Sequence, residues 1–429
     1  MNICVIGTGY VGIVTTVVFA DFGNQVWGLD VDEQKIGRIQ KGIPPIHEPG
    51  LEEYLKKGIN SGRLKFISDY KQALKDTEAV FICVGTPQSE TGDVDIKYVE
   101  SAIESVAKHM TQPLTIVLKS TVPPGIHKHL KKILDKYTKL DYEFASCPEF
   151  LREGSAISDT LHPARVVIGA DSKKAKEKLL ELHKPLSGER VITDIISAQM
   201  IKYAANSMLA TKISFANAIS RVCDLLGANV TDVIKGIGLD PRIGLQFLNA
   251  GLGYGGSCFP KDVKGLYHLS ENAGYKFSLL EEVDLINNTQ VSYVLDKARK
   301  KIDTFAGKKV GLLGLAFKPD TDDMRDARAL VLINELLEEG ASISAYDPVA
   351  IETTKTIVGN KITYAKDAYE VAEKADVVVL VTEWNEFKEL DLGRIKESMK
   401  GNLFVDGRNM YDSNEIKNAG FVYIGVGRS

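Results

Sequence analysis

A thiol in a glycine-rich segment is the clearest chemical signal in this sequence. Residues 247–262 read F-L-N-A-G-L-G-Y-G-G-S-C-F-P-K-D and include Cys258, Lys261 and Asp262. Glycine is used where the backbone needs positive φ or lies against a ligand. A cation beside a thiol favours the thiolate, which is the nucleophilic form. The segment therefore predicts a nucleophilic cysteine; the alternative is a loop whose free cysteine is simply buried.

The N-terminal segment predicts a dinucleotide site. An apolar strand-like run, residues 2–7, leads into G-T-G-Y-V-G, and a helical stretch and a second strand ending at Asp30 follow. The glycines on the G-x-G-x-x-G pattern are Gly7, Gly9 and Gly12. Such glycines allow a tight turn, the approach of a pyrophosphate and close helix packing, and Asp30 suits a ribose hydroxyl. A carboxylate there repels a 2′-phosphate, which favours NAD over NADP. The alternative is a βαβ unit whose glycines serve only packing.

Three further segments, at residues 79–87, 115–125 and 144–154, each read as a strand followed by a loop that carries polar side chains. They are Thr86, then Ser120 and Thr121, then Glu149, Arg152 and Glu153. Ligands of open parallel sheets bind outside the carboxyl ends of the strands, so these groups are placed to reach a cofactor or substrate. Turn capping by the hydroxyls and a solvated charged turn are the competing interpretations.

A helical run of about 30 residues, 196–227, contains no proline and no glycine before Gly227. A helix this long is typical of one that joins two domains or carries a subunit interface. Lys202 and Asn206 are four positions apart and share one face of it. They are either functional groups or an amphipathic pair at the rim of the core. After the cysteine segment, the pattern predicts a second helical stretch to about Phe305.

Residues 308–320 repeat the strand and glycine turn of the N-terminus. A helix at 327–339 and a strand ending at Asp347 follow, and further strands are expected at 375–382 and 403–408. Phe317, Lys318 and Pro319 stand where a pyrophosphate turn would be, which indicates a Rossmann-like domain adapted to another phosphate ligand.

The fold class predicted is therefore α/β, with two Rossmann-like doubly wound parallel-sheet domains joined by a central helical region with a long helix. The expected boundaries are 1–195 for NAD binding, 196–305 for the helical region with the cysteine loop, and 306–429 for the second Rossmann-like domain.

Composition restricts the remaining classes. The chain is 44% hydrophobic and 26% charged with a formal net charge of −4, which gives no electrostatic case for nucleic acid or an anionic membrane. The five cysteines are widely spaced and form no disulfide framework, and Cys4, Cys83 and Cys223 are expected to be buried. His127 and His129 are expected on a solvated helix face, and no metal site is expected. The N-terminus shows no secretion signal, and a cytoplasmic protein is expected.

Eight motifs together resemble the nucleotide-sugar dehydrogenases of the UDP-glucose/GDP-mannose dehydrogenase family, over essentially the whole chain. They are G-T-G-Y-V-G, V-G-T-P, S-T-V-P-P-G, P-E-F-L-R-E-G, K-Y-A-A-N, G-G-S-C-F-P-K-D, A-F-K-P and D-M-R-D-A. Relatives that oxidise UDP-N-acetyl sugars typically carry G-G-H-C-I-P, where this chain has Ser257 and Phe259. The resemblance implies UDP-glucose as substrate, with GDP-mannose or a UDP-N-acetylhexosamine as the alternative.

The resemblance also implies a reaction, in which the C6 alcohol of the sugar becomes a carboxylate through two hydride transfers to two NAD. Cys258 would capture the intermediate aldehyde as a thiohemiacetal, which is oxidised to a thioester and hydrolysed. Lys202 and Asn206 would hold the developing oxyanion. Asp262 and Thr121 would position a water, and Glu149 would act as base.

Binding residues are carried over in the same way. The NAD contacts implied are Gly7, Gly9, Tyr10, Val11, Gly12, Asp30, Lys35, Thr86, Thr121, Glu153, Lys261 and Arg325. The UDP-sugar contacts implied are Glu149, Phe150, Leu151, Arg152, Glu153, Lys202, Asn206, Phe247, Leu248, Asn249, Ala250, Gly251, Gly255, Lys318 and Arg408. Arg242 would reach the substrate of a neighbouring subunit, so that the smallest working unit is a homodimer, if not a higher homo-oligomer.

Two other functions account for part of these signals. A two-electron alcohol or hydroxyacid dehydrogenase would share the first domain, but it would not need Cys258 and would release one NADH per substrate. A non-catalytic dinucleotide-sensing protein should lack the combination of Lys202, Asn206, Cys258 and Asp262.

Overall fold

The computed structural model describes residues 1–89 and 93–428, which divide into two compact units, Met1–Ala205 and a second that begins at Asn206. The strands of the first unit are β1 Asn2–Ile6, β2 Gln25–Leu29, β3 Leu64–Ile67, β4 Ala79–Ile82, β5 Leu114–Leu118, β6 Tyr142–Ser146, β7 Arg165–Ala170 and β8 Glu189–Thr193. Its helices are α1 Tyr10–Asp21, α2 Glu33–Ile39, α3 Leu51–Asn60, α4 Tyr70–Leu74, α5 Lys97–His109, α6 His127–Tyr137, α7 Ala156–Leu161 and α8 Lys173–Leu182.

One sheet organises the first unit, in the order β3-β2-β1-β4-β5-β6-β7-β8. The order 3-2-1-4-5-6 is that of dinucleotide-binding folds, and the strand order reverses between β1 and β4. Successive side chains of β1 enter the two core clusters of the unit: Ile3 and Val5 belong to one, and Cys4 and Ile6 to the other. Because alternate residues of a strand point to opposite faces, both faces of the sheet are covered.

The prediction of a parallel sheet holds for β1 to β6, but β7 runs antiparallel to β6. The chain returns from β6 through a loop and the short α7, and β7 then pairs in parallel with β8 at the edge. The sequence gives no signal for this reversal, because neither Y-E-F-A-S in β6 nor R-V-V-I-G-A in β7 indicates the direction in which its strand runs.

The predicted long helix is confirmed as α9, Ile195–Leu226, and the boundary between the two units falls within it. Its 32 residues contain neither proline nor glycine, so nothing in the run interrupts the hydrogen-bond ladder.

In the second unit the remaining helices are α10 Val230–Gly238, α11 Phe259–Asn272, α12 Ser278–Ile302, α13 Arg328–Glu338, α14 Ile351–Val358, α15 Ala368–Ala372, α16 Asn385–Lys388, α17 Leu392–Ser398 and α18 Ser413–Asn418. Its strands are β9 Lys309–Leu313, β10 Ser342–Tyr346, β11 Thr363–Tyr364, β12 Val377–Leu380, β13 Leu403–Asp406 and β14 Val422–Gly425. They form a parallel sheet in the order β11-β10-β9-β12-β13-β14. Read from β9 as the first strand, this is again the order 3-2-1-4-5-6.

The α/β fold class with two Rossmann-like sheets is therefore confirmed, whereas the division at residues 195 and 305 stays a prediction. Val291 and Leu295 of α12 pack in one core cluster with Leu312 and Val378 of the second sheet. The same cluster contains Leu248 and Leu252 of the cysteine segment, so this segment and the second sheet share one core.

Two local predictions are wrong. The helical stretch expected up to Phe305 is two helices, α11 and α12, separated near Gly274, which has φ +86°. His127, expected on the surface, is buried, because with Leu130 and Leu134 it forms the i, i+3, i+7 stripe by which α6 packs. His129 is exposed as expected and contacts Glu100.

Candidate active site

The glycine turn after β1 has the shape that a dinucleotide requires. Gly7 has φ +93°, and a Cβ placed on it would lie 2.8 Å from the carbonyl oxygen of Cys83. A Cβ on Gly12 would overlap the carbonyl oxygen of Gly7, so a larger residue would push α1 away from the turn. At Gly9, by contrast, no described atom lies within 4 Å of such a Cβ. The turn is therefore closed toward the sheet and open at the start of α1, where a pyrophosphate is stabilised by backbone N–H groups.

Asp30 lies buried just after β2 and receives several hydrogen bonds. Its Oδ2 accepts from the backbone N of Thr8 at 2.8 Å, from Thr8 Oγ1 at 2.7 Å and from Lys35 Nζ at 2.8 Å. Burial acts to raise the pKa of Asp30, but the bonds from Lys35 and Thr8 outweigh it and hold that pKa below its usual value. The predicted ribose ligand is thus an ionised acceptor fixed to the glycine turn.

The other predicted NAD residues of the first unit lie at the same edge of the sheet or at the start of α1. Tyr10 and Val11 are half-buried in the first turn of α1. Thr86 follows β4 and is buried, and Thr121 follows β5 and is half-buried. Ser120 ties these two strand ends together, since its hydroxyl donates to Val84 O at 2.6 Å.

Glu149 and Lys202 form a buried ion pair in the first unit. Lys202 Nζ lies 2.7 Å from Glu149 Oε1, and the side chains are 4% and 7% exposed. Glu149 Oε2 also accepts from the backbone N of Leu151 at 2.8 Å. The centroid of the Phe150 ring lies 5.5 Å from Lys202 Nζ and 3.8 Å from the guanidinium carbon of Arg165. A lysine and a carboxylate held this closely can stabilise an oxyanion and exchange a proton.

In the loop that follows β6, the two charged residues after Glu149 differ in their exposure. Glu153 is buried. Arg152 is exposed and donates to both carboxylate oxygens of Asp159, at 2.9 and 2.7 Å, and that bond raises the pKa of Arg152. Its predicted substrate contact would require this pair to open.

Cys258 lies at the N-terminus of α11, where Pro260 occupies the first turn. The backbone N of Asp262 donates to Cys258 O at 2.9 Å, and Ser257 Oγ lies 3.5 Å from its Sγ. Cys258 is half-buried, whereas Cys4, Cys83, Cys147 and Cys223 are buried. Burial raises the pKa of Cys83 to about 12 and that of Cys147 above its usual value. A helix N-terminus, in contrast, favours negative charge on Cys258.

Asp262 joins the cysteine helix to α9 within the second unit. It is fully buried, and its Oδ2 accepts from Asn206 Nδ2 at 2.6 Å. Its Oδ1 contacts the ammonium of Lys261. The amide of Asn206 is thereby fixed, four positions after Lys202 along α9.

Three buried amide side chains support the segment before Cys258. Asn287 accepts from Tyr254 N at 2.8 Å and donates to Tyr254 O at 3.1 Å. Asn217 accepts from Gly251 N at 2.8 Å, and Gln290 donates to Gly251 O at 3.0 Å. The loop backbone is therefore satisfied on both sides by α9 and α12, as buried polar groups require.

Arg408 and the loop glycines bring the predicted substrate segment against the end of the second sheet. Arg408 donates from Nε to Val381 O at 2.7 Å and from Nη1 to Gly253 O at 3.1 Å. A Cβ on Gly255 would overlap the carbonyl oxygen of Asp326. Phe247, at the start of the segment, has φ +63°. Leu248 and Ala250 are buried, and Asn249 is exposed.

The remaining predicted cations of the second unit contact local partners. Lys318 lies 5.6 Å from the centroid of the Phe317 ring. Arg325 pairs with Asp323 at 2.7 Å, and Arg242 pairs with Asp240 at 2.5 Å with its side chain 86% exposed.

Comparison with known proteins identifies the chain. Residues 1–187 match the NAD binding domain of the UDP-glucose/GDP-mannose dehydrogenase family, residues 196–289 its central domain, and residues 311–413 its UDP binding domain. The chain belongs to this family. The first-unit turn described above therefore lies in the NAD binding domain of the family, and Arg408, at the end of the second sheet, lies in its UDP binding domain.

Individual relatives are similar over their whole length. A UDP-glucose 6-dehydrogenase of Bacillus subtilis, TuaD, is 44% identical over 100% of this chain and 93% of the relative. The structure of a UDP-glucose dehydrogenase from Pyrobaculum islandicum superposes with a TM-score of 0.94 at 36% identity, covering 100% of this chain and 98% of the other. A UDP-D-ManNAc dehydrogenase structure from Pyrococcus horikoshii gives 0.89 at 29% identity, covering 100% and 99%.

The site groups thus fall into two sets, each inside one unit. The first set contains the glycine turn, Asp30 with Lys35, and Glu149 with Lys202. The second set contains Cys258, Asn206 with Asp262, and the segment before Cys258 that Arg408 contacts. Asn217, Asn287 and Gln290 were not predicted. Their only signal in the sequence is a polar residue on the inner face of a helix, which many exposed helices also show.

Neither a metal centre nor a membrane span is found in the described part of the chain. Among residues 1–89 and 93–428, no group of three or more His, Cys, Asp or Glu could hold a metal ion. In the same residues, no helix is both long enough and apolar enough to cross a bilayer.

Proposed function

We propose that the chain is an NAD-dependent UDP-glucose 6-dehydrogenase that oxidises the C6 alcohol of UDP-glucose to the carboxylate of UDP-glucuronate. The observation that carries this proposal is Cys258. It is the half-buried thiol at a helix N-terminus, beside a buried Asp262 that holds Asn206. A simple alcohol dehydrogenase has no use for such a thiol, whereas a four-electron oxidation needs to retain its aldehyde.

The first oxidation requires a base and a site for the alkoxide. When bound, NAD supplies the hydride acceptor for each of the two oxidations. Lys202 and Asn206 are proposed to stabilise the developing oxyanion, and each is held by a carboxylate, Lys202 by Glu149 and Asn206 by Asp262. Glu149 is proposed to accept a proton from Lys202, which is supported by the 2.7 Å between the two groups.

The second stage is covalent. The Cys258 thiolate adds to the aldehyde carbon, a C–S bond forms, and the carbonyl oxygen becomes the hydroxyl of a thiohemiacetal. Loss of a hydride and of the hydroxyl proton gives a thioester, and attack by water breaks the C–S bond and releases the carboxylate and the thiol. In total, one alcohol, one water and two NAD+ give one carboxylate, two NADH and three protons.

Hydrolysis requires an oriented water and a base. Thr121 and Asp262 are proposed to orient the water, with Glu149 as the base that accepts its proton. Asp262 is suited to a positional role, since its oxygens are engaged by Asn206 and Lys261.

The binding residues follow the two Rossmann-like sheets. NAD is assigned to the glycine turn with Tyr10, Val11, Asp30, Lys35, Thr86, Thr121 and Glu153, together with Lys261 and Arg325. The UDP-sugar is assigned to residues 149–153, Lys202 and Asn206, and to 247–251, Gly255, Lys318 and Arg408. The carboxylate of Asp30 favours NAD over NADP, because a 2′-phosphate would meet a fixed negative charge.

A cytoplasmic homodimer is the proposed working form, with Arg242 completing the neighbouring site. Met208, Phe215 and Val222 of α9 recur every seven residues and are 60%, 49% and 47% exposed. A regular apolar stripe on a helix surface is typical of a helix–helix interface.

The decisive experiment counts NADH per mole of sugar nucleotide consumed. UDP-glucose should give two NADH and UDP-glucuronate, and GDP-mannose and UDP-N-acetylglucosamine, run in parallel, should give less than a tenth of its kcat/KM. One NADH per sugar would indicate a two-electron dehydrogenase. No NADH from UDP-glucose, with turnover of another sugar nucleotide, would refute the substrate.

A further inference from the structure

Glu48 is a buried carboxylate outside the predicted site, in the segment between α2 and α3. Both of its oxygens accept hydrogen bonds. Oε2 accepts from the backbone N of Gly154 at 2.7 Å and from the hydroxyl of Tyr10. Oε1 accepts from the backbone N of Ala156 at 2.6 Å and lies 3.4 Å from that of Ile157. A buried carboxylate is costly unless it is satisfied in this way.

These bonds join three distant parts of the first unit. Tyr10 begins α1 directly after the glycine turn, Glu48 lies 38 residues later, and Gly154 lies 106 residues after Glu48. The backbone N of Gly154 also donates to the Tyr10 hydroxyl at 2.8 Å, so the three groups contact one another. Burial, and then the bond to Glu48, raise the pKa of Tyr10, which keeps its hydroxyl a donor. The network is not local capping, because its members are far apart in sequence.

The loop fixed by Glu48 is the one that carries the functional carboxylates. Residues 147–155 follow β6 and contain Glu149, paired with Lys202, and the buried Glu153 next to Gly154. Gly154 has φ +79°, a conformation that suits glycine, so its N–H is aimed by the backbone itself. Glu48 therefore links the end of this loop to Tyr10 beside the glycine turn, in addition to the direct bond from Gly154 N to the Tyr10 hydroxyl.

We propose that Glu48 is a positioning residue for NAD binding: through Tyr10 and Gly154 it holds loop 147–155 at the spacing from the glycine turn that the dinucleotide requires. The proposal rests on the NAD site of the proposed function, but it concerns binding rather than the identity of the sugar. A neutral side chain cannot replace Glu48 fully. A glutamine has one acceptor oxygen, whereas Gly154 and Ala156 present N–H donors to both ends of the group.

The test is Glu48→Gln, with NAD affinity measured by titration calorimetry in the absence of sugar. The Kd for NAD and the KM for NAD should both rise about tenfold, several-fold more than the KM for UDP-glucose, because Glu48 contacts Gly154 and Ala156, at the opposite end of the loop from Glu149. Hydrogen exchange should show faster exchange in peptides that cover Gly154 and Ala156, in the NAD-free protein.

Leu130→Ala is the matched control. Leu130 is fully buried in α6, in the core cluster on the opposite face of the sheet from that of Tyr10 and Leu151. This variant should lose stability without a change in the Kd for NAD. If it weakens NAD binding as much as Glu48→Gln does, general destabilisation explains the effect and the positioning role is refuted.

Tyr10→Phe keeps the proposal testable if Glu48→Gln folds poorly. It leaves Glu48 bonded to Gly154 and Ala156, and it should raise the Kd for NAD about threefold. In the double variant Glu48→Gln/Tyr10→Phe, the further rise in the Kd for NAD caused by Tyr10→Phe should largely disappear, because Glu48 and Tyr10 act as one network. The proposal would be overturned if the effects of the two substitutions on NAD binding were fully additive, or if Glu48→Gln kept the wild-type Kd for NAD. A failure of the wild type to oxidise UDP-glucose would refute the function instead, and would leave this binding result intact.

Discussion

At the scale of single residues, the surroundings of each thiol distinguish the proposed nucleophile from the other cysteines. Burial raises the pKa of Cys4, Cys83 and Cys147, which keeps them protonated and unreactive. Cys258 is half-buried at the start of α11. The sequence could single out Cys258 because its glycines and its neighbours Lys261 and Asp262 are local features. It could not predict what these neighbours contact.

Cys258→Ser should stop turnover while leaving both ligands bound. Serine keeps the shape of the side chain, but little of its hydroxyl ionises near neutral pH, so the addition to the aldehyde is far slower. The steady-state rate should fall at least a thousandfold, with NAD and UDP-glucose affinities within about threefold of the wild type by calorimetry. A variant that retains wild-type turnover and two NADH per sugar would rule out the covalent route.

His183 should make the first unit sensitive to acid. It is buried after α8, with Nδ1 2.8 Å from Leu179 O and Nε2 3.7 Å from Cys147 Sγ. Burial, and then the positive charge of Lys119, lower its pKa from 6.5 to about 4. Between about pH 6.5 and pH 4, the unfolded chain therefore binds more protons at His183 than the folded chain does. The stability that this neutral ring contributes is complete above about pH 6.5 and is lost as the pH falls toward 4.

When the pH falls from 7 to 5, the titration of His183 should lower the unfolding free energy by about 2 kcal/mol. His183→Gln, which does not titrate, should remove that part of the pH dependence. The measurement is urea unfolding at both pH values, followed by hydrogen exchange in first-unit peptides. His129→Gln is the control for replacing a histidine with glutamine at an exposed position. Equal slopes for wild type and His183→Gln would contradict the assigned cause.

At the scale of elements, hydrophobic pattern predicts type and place well where a segment is buried and uninterrupted. The strands β1, β4, β5, β9 and β12 and the helix α9 are of this kind. The break between α11 and α12 could have been predicted from Gly274, since glycine with positive φ commonly ends a helix. The buried side of α6 could not be read from composition, because His127 takes an apolar position in a lysine-rich sequence.

Asn287 of α12 should control the conformation of the cysteine loop. Replacing it with alanine removes both bonds to the backbone of Tyr254 and leaves a buried N–H and a buried C=O without this partner. Stability should fall by about 2 kcal/mol, and the KM for UDP-glucose should rise several-fold more than the KM for NAD. Thermal unfolding and steady-state kinetics measure both effects.

The neighbouring Asn288→Ala is the control for that variant. Asn288 is exposed on the same helix, and its amide donates to Asp284 Oδ2 at 2.9 Å. It should leave stability and both KM values within experimental error. If Asn287→Ala raises the KM for UDP-glucose and the KM for NAD equally, or changes neither, the Asn287 amide does not hold the substrate loop.

At the scale of the whole molecule, two sheets with the same strand order repeat one arrangement, in which an acid after the second strand accepts hydrogen bonds from the turn after the first strand. In the first unit, Asp30 accepts from Thr8 N beside an open glycine. In the second, Asp347 accepts from the backbone N of Leu315 and Ala316, at 2.7 and 3.0 Å. The sequence predicted this repeat because strand, turn and terminal acid recur in order. The pairs Lys202–Glu149 and Asn206–Asp262 are more than 50 residues apart, and only the fold determines them.

The assembly of two chains can be tested through Arg242, which donates hydrogen bonds to Asp240 and is largely exposed. An exposed pair of this kind contributes roughly 0–1 kcal/mol, so stability alone does not account for an arginine in this turn. A guanidinium is well suited to forked hydrogen bonds with oxygen ligands at an interface. We therefore expect Arg242 to act on the substrate of the partner subunit.

Mixing Arg242→Ala with Cys258→Ala subunits distinguishes action in trans from action in cis. If Arg242 acts in trans, a heterodimer has one site with both lesions and one intact site. After free reassembly half of the dimers are mixed, so roughly a quarter of wild-type activity should return. If Arg242 acts on the substrate of its own chain, every site in the mixture carries one lesion, and activity cannot exceed the mean of the parents. Subunit exchange is verified by mass spectrometry of differently tagged chains, and exchange without recovery would assign Arg242 to its own subunit or to no substrate at all.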